Sequence, residues 1–177
     1  MSNVPNLHKE TSPTSAGVYV ITCSTSKYRQ LQERKRPDDV SGNIIEQLVR
    51  HAGHTLVGRK LIPDSRVLIR NTLRAAMARR KVDAIIVTGG TGISQTDVTF
   101  ETISPFLDRE LLGFGEIFRR ISYDEIGSPA MMSRAFAGTI KGKVVFCLPG
   151  SPNGVKMAME KLILPELGHI IGLSRHF

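Results

Sequence analysis

Two loops of small residues and two aspartates carry the chemistry this sequence can offer. Thr88-Gly89-Gly90-Thr91-Gly92 follows directly on the apolar run Ala84 to Val87. Glycines so closely spaced let a backbone turn sharply and approach a ligand without a Cβ in the way. The hydroxyls of Thr88 and Thr91 can donate to phosphate or carboxylate oxygens. A second loop, Pro149-Gly150-Ser151-Pro152, follows another apolar run, Lys143 to Leu148. Backbone N–H groups at such a turn, beside a helix start, suit an anionic group. Asp64 stands at a third strand end, after Leu61-Ile62-Pro63, and Asp97 just beyond the first glycine loop. A carboxylate beside a phosphate loop makes chemical sense when a divalent cation lies between them, and Mg²⁺ takes one or two carboxylates with phosphate oxygens and water. Each aspartate has a plainer alternative as the N-cap of the following helix, and the glycine loop has one as a strand-to-helix turn.

The elements that must hold these groups follow from the hydrophobic pattern. Ala16 to Cys23, Thr55 to Ile62, Ala84 to Val87 and Lys143 to Leu148 read as strands, with a weaker one at Arg134 to Ile140. Between them, helical periodicity covers Asn43 to Ala52 and the stretch from Asp64 to about Arg80. Shorter helical segments follow at Phe100 to Leu107, at Gly115 to Ser122 and from Gly154 onward. Ser24 to Asp38 reads as a long polar loop. The order β-α-β-α-β predicts an α/β fold with a largely parallel sheet and helices on both faces. Such sheets bind ligands beyond the carboxyl ends of their strands.

Composition excludes several classes. The 177 residues are 41% hydrophobic and 23% charged, as in a globular chain. We expect a mobile tail over residues 1–14 and a single domain over residues 15–177. No apolar run reaches the roughly 20 residues of a membrane helix, and the first residues lack a signal-peptide core, so a cytoplasmic protein is expected. Cys23 and Cys147 fall inside expected strands and have no metal-site spacing. The net charge of +8 fits an anionic ligand. Its basic residues are scattered and no nucleic-acid-binding motif is present, so no nucleic-acid partner is expected. Arg66, Arg70 and Arg74 share a helix face, to be solvated or used in a subunit contact. There is no nucleophile elbow and no Walker lysine, which leaves phosphoryl or nucleotidyl chemistry carried by positioning and metal.

The succession TGGTGISQTDVTFETI, FLDRELLGFGEIFR, SRAFAG and LPGSPNGVK resembles the MoaB/MogA family of molybdenum-cofactor biosynthesis proteins, from about Gly17 to Glu166. The resemblance implies a three-layer αβα molybdopterin-binding fold and a homotrimer or homohexamer. It implies adenylylation of molybdopterin by Mg-ATP with release of pyrophosphate, and a molybdenum-inserting protein as the downstream partner. It assigns catalytic and Mg²⁺-binding roles to Asp64 and Asp97. Ligand-binding roles fall to Thr88, Gly89, Gly90, Thr91, Gly92 and Glu101, and to Pro149, Gly150 and Ser151. Two departures stand out. Phe100 occupies a position where many members carry proline, and Ser24-Thr25-Ser26-Lys27 replaces a common Ser-Asp-Arg or Ser-Asn-Arg. The competing reading is a non-catalytic molybdopterin-binding scaffold of the same pathway.

Overall fold

Alternation along one strand divides the molecule into layers. Val18 and Val20 face one way and Tyr19 and Ile21 the other, as successive strand side chains must, and all four are buried. The sheet is therefore covered on both faces. The computed structural model describes residues 13–175. Its strands are β1 (Gly17–Cys23), β2 (Thr55–Ile62), β3 (Ala84–Thr88), β4 (Arg109–Glu110), β5 (Phe136–Ile140) and β6 (Lys143–Leu148). They lie in the order β2-β1-β3-β6-β5-β4. β2, β1, β3 and β6 pair in parallel, while β5 pairs antiparallel with both β6 and β4. The β5–β6 hairpin turns through Lys141 and Gly142, both at positive φ, the handedness that matches strand twist.

The helices are α1 (Thr25–Gln32), α2 (Val40–His51), α3 (Arg66–Met77), α4 (Thr99–Ile103), α5 (Leu112–Ile126), α6 (Pro152–Ala158) and α7 (Leu164–Arg175). A π-helical turn, Met159–Ile163, joins α6 to α7. Ile45 and Val49 of α2, Phe118 of α5, Val155 of α6 and Ile171 of α7 pack on the Val18 face. Ile69, Leu73 and Ala76 of α3 and Ile103 of α4 pack on the Tyr19 face. The expected three-layer, mostly parallel α/β architecture is what forms.

Because α2 and α3 cover opposite faces, the sheet is wound in both directions from β1, with β2 on one side and β3 on the other. That reversal leaves a crevice between the ends of β1 and β3. Register places it: Cys23 lies opposite Ile62, Thr22 opposite Thr88, and Thr88 opposite Leu148. The loops after all four parallel strands open at one edge.

Several elements differ from the sequence-based expectation. Residues 25–32, expected in a loop, form α1. None of its residues is buried, so it has no apolar stripe to betray it, and it is held by its cap instead. Asp64 does not cap α3: Ser65 holds that position, without a side-chain cap bond. Asp97 does not cap α4 either, since Val98 precedes that helix. α3 stops at Met77, short of Arg80, where its apolar spacing also stops. The expected tail lies, apart from residues 13 and 14, outside the described residues. Among the described residues no helix is long and apolar enough to cross a membrane.

Candidate active site

A cleft of about 580 Å³ opens at the shared edge, walled by residues 24–26, Asp64, residues 89–92, Asp97 and Pro149-Gly150. The first glycine loop is pinned through its carbonyls. Gly89 C=O accepts from Thr99 Oγ1 at 2.8 Å, and Gly90 C=O from Thr99 N at 3.0 Å. Thr91 C=O accepts from Arg134 N at 3.0 Å and Gly92 C=O from Arg134 Nε at 2.8 Å. In a trans peptide the next N–H points opposite to the carbonyl. Four anchored carbonyls therefore turn the N–H groups of Gly90, Thr91, Gly92 and Ile93 away from those anchors. Among the described residues these amides have no protein acceptor. An unsatisfied run of amides is an anion cradle.

Glycine is required here by space as well as by φ. Gly89 and Gly90 sit at φ of +100° and +66°. A Cβ on Gly89 would lie 2.1 Å from the Cys23 carbonyl oxygen, and one on Gly90 would lie 2.5 Å from Thr99 Oγ1. The second loop is tied in alongside: Thr88 Oγ1 donates to Pro149 C=O at 2.8 Å, and Ser41 Oγ to Gly150 C=O at 2.8 Å.

Both aspartates border this loop. A Cβ on Gly90 would be 3.1 Å from Asp64 Oδ1, and one on Gly92 would be 2.7 Å from Asp97 Oδ2. Asp64 Oδ2 is held by Thr25, and Asp97 Oδ2 accepts Ser94 N at 3.0 Å. Each carboxylate thus has one oxygen engaged and one without a protein donor. Two hard oxygen donors, with no imidazole or thiolate competing, fit Mg²⁺ shared with phosphate oxygens. Among the described residues no group of three or more His, Cys, Asp or Glu could hold a metal by itself. The Cys23 thiol also touches the cleft, but burial pushes its pKa up to about 12, which removes it as a nucleophile at neutral pH.

These features arise on a chain with extensive likeness to known proteins. A family model described as a probable molybdopterin binding domain matches residues 19–169. The chain is 44% identical over 164 residues to molybdenum cofactor biosynthesis protein B of Bacillus anthracis, spanning 92% of this chain and 93% of that one. It is 40% identical over 156 residues to a probable molybdopterin adenylyltransferase of Methanocaldococcus jannaschii, spanning 88% and 92%. Its structure matches that of the tungsten cofactor synthesizing protein MoaB from Pyrococcus furiosus with a TM-score of 0.82 at 37% identity, over 93% of this chain and 99% of that one. The chain belongs to the MoaB/MogA family of molybdenum-cofactor biosynthesis proteins.

Not every residue that the family resemblance assigned reaches the cleft wall. Thr88 is fully buried and serves as a tie between the two loops. Ser151 caps α6 by accepting Gly154 N at 3.3 Å, and it faces a neighbouring cavity of about 390 Å³. That cavity is floored by Phe118, Ala130 and Met157 and shares Thr91, Gly92 and Pro149 with the first. Glu101 lies outside the cleft, ion-paired with Arg134. The hydrogen bond from Arg134 holds its carboxyl below the usual glutamate range.

Sequence reasoning missed three contributors. Thr25 binds Asp64, Thr99 binds two loop carbonyls, and Arg134 binds two more. Thr99 and Arg134 lie within the motif stretches TGGTGISQTDVTFETI and SRAFAG, and Thr25 within a departure from the family pattern, but the sequence assigns none of them a role. Thr91 Oγ1 adds a further feature, because it is buried without any hydrogen-bond partner. Buried hydroxyls are rarely left so.

Proposed function

We propose that this chain is a molybdopterin adenylyltransferase, joining the terminal phosphate of molybdopterin to AMP drawn from Mg-ATP. The observation that carries this reading is the run of unsatisfied amides lying between two carboxylates that each offer a free oxygen. The amides of residues 90–92 would receive phosphate oxygens, and Asp64 and Asp97 would hold Mg²⁺, which offsets charge on the transferring phosphates. In the reaction a terminal phosphate oxygen of molybdopterin attacks the α-phosphorus of ATP. The bond from that phosphorus to the bridging oxygen breaks, and pyrophosphate leaves. The chain supplies position and charge compensation for two anionic substrates rather than a nucleophile. The adjoining cavity, more apolar and sharing the glycine loop as a wall, suits a flat ring system carried by one of the substrates.

Purified protein given molybdopterin, ATP and Mg²⁺ should release pyrophosphate in step with adenylylated product. Pterin binding with no turnover would instead select the scaffold reading. The product would pass to a molybdenum-inserting protein in the cytoplasm. Leu112, Tyr123 and Ile126 are 65%, 56% and 59% exposed and fall on one face of α5, which supports a homotrimer or homohexamer that covers them.

A further inference from the structure

We infer that Arg134 is a positioning residue for the anion cradle and that Glu101 acts through it rather than on a ligand. The inference rests on the reading of the cleft as a phosphate site. Arg134 does not line the cleft. It lies behind the glycine loop, and all three of its guanidinium nitrogens are engaged. Nε donates to Gly92 C=O at 2.8 Å and Nη2 to Asp97 C=O at 3.2 Å. Nη1 pairs with the Glu101 carboxylate, which also takes Nη2 at 3.4 Å. The backbone amide of the same residue donates to Thr91 C=O at 3.0 Å. The guanidinium carbon stands 5.3 Å from the centre of the Phe100 ring, a cation–π contact, and Phe100 packs edge-on against Phe136 at 5.0 Å between centroids.

One side chain thus fixes the loop that must face phosphate and the backbone of a carboxylate that must face metal. A loop so rich in glycine loses more freedom on ordering than any other, so an external clamp is what makes it preorganised. Glu101 completes the clamp. An unpaired carboxylate beside an anion site would repel the ligand, whereas a paired one orients the guanidinium and neutralises it. Arg134 is therefore removed from direct competition for the phosphate. Lysine can replace it only in part, because one ammonium lacks the planar fork that reaches Gly92, Asp97 and Glu101 together.

The test is calorimetric binding of inorganic tripolyphosphate with Mg²⁺, read beside thermal unfolding. Arg134→Ala should weaken binding by about tenfold or more, the scale of losing charge-assisted hydrogen bonds, and Arg134→Lys should recover only part. Low-millimolar guanidinium should restore Arg134→Ala while leaving the wild type unchanged. Glu101→Ala should weaken binding on its own yet add nothing in the Arg134→Ala background. Glu101→Gln, whose amide oxygen still accepts from Arg134, should stay close to wild type. Wild-type affinity in folded Arg134→Ala overturns the inference, as does a Glu101→Ala loss that persists without Arg134, which would make Glu101 a direct ligand. Should Arg134→Ala fail to fold, Arg134→Lys and Glu101→Gln decide by the same comparison. A wild type that binds no tripolyphosphate overturns the phosphate-site reading itself, and the inference with it.

Discussion

Asp64 and Thr25 hold each other reciprocally across two strand ends. Asp64 Oδ2 accepts the Thr25 amide at 2.9 Å and its hydroxyl at 2.8 Å, and Thr25 Oγ1 accepts the Asp64 amide at 3.0 Å. The pair locks the loop after β1 to the loop after β2. It also sets a negative charge at the N-terminus of α1, where backbone N–H groups are unpaired and the helix dipole favours an anion. One carboxylate oxygen does this work, while the other borders Gly90 and the cleft.

That division makes Asp64→Asn informative. The amide oxygen can keep both bonds to Thr25, so the unfolding free energy should change by less than about 0.5 kcal/mol, as for a neutral surface change. The charge facing the cleft is lost, and adenylylation should fall ~100-fold or more, the scale of removing an electrostatic catalytic contact. Asp64→Ala should lose the same activity and destabilise by a further ~1 kcal/mol, as when a helix N-terminus loses its acceptor. Pyrophosphate release at normal rate in the folded Asn variant would reduce Asp64 to a structural tie.

Asp97→Asn should behave alike for a different local reason. The carbonyl oxygen of an Asn can still accept from Ser94 N, which closes the loop as Asp97 Oδ2 does at 3.0 Å. Stability should hold while turnover falls ~100-fold or more. Binding of Mg²⁺-free molybdopterin should survive. If turnover survives too, Asp97 has no part in holding metal.

Gly90 was legible as a ligand-loop residue because its neighbours are small and an apolar strand precedes them. The strand ends that gather the cleft were legible for the same reason: continuous apolar runs mark parallel strands, and parallel strands put their following loops on one edge. The side chains that brace the loop were not. Thr25 sits in a helix with no buried face, and Thr99 and Arg134 act through carbonyls contributed by residues 9 to 43 positions away. No local pattern encodes such pairings. Asp64 misled the sequence reading because Pro63-Asp64-Ser65 offers two cap residues, and Ser65 took the position.

Gly90→Ala should therefore fail doubly. Alanine at a φ of +66° costs about 1–2 kcal/mol, and its Cβ must displace Thr99 Oγ1, which holds Gly89 C=O. We expect a measurable drop in unfolding midpoint and loss of tripolyphosphate binding even where the variant remains folded. Retained affinity would show that the loop is only a turn.

The proposed assembly would cover α5. Tyr123 is exposed on the same face as Leu112 and Ile126, and a lysine there introduces charge without touching the cleft. The wild type should sediment as a trimer or hexamer and Tyr123→Lys as a smaller species. A monomeric wild type would remove the oligomer from the proposal.

The acid limit of stability should trace to Asp39. Only 6% exposed, it accepts from Arg59 Nη2 at 2.6 Å, Thr22 Oγ1 at 2.7 Å and Gly42 N at 3.1 Å. Burial by itself raises its pKa, but these donors together outweigh burial and hold the carboxyl below the usual aspartate value of 3.8. A folded value below the unfolded one means that the carboxylate stabilises the fold in full above pH 3.8, and that this contribution is lost as pH falls through the lowered value. Asp39→Asn should cost about 1–2 kcal/mol near neutral pH, since Arg59 keeps Glu46 at 3.4 Å but loses the charge-assisted bond to Asp39. It should also flatten the acid limb of urea midpoints plotted against pH. The effect should reach the cleft, because Asp39 caps α2 and Ser41, two residues on, donates to Gly150 C=O. Tripolyphosphate affinity should then weaken in Asp39→Ala, which removes the α2 cap, although no contact in the cleft itself has changed. A variant with unaltered acid sensitivity would place the acid-labile contact elsewhere.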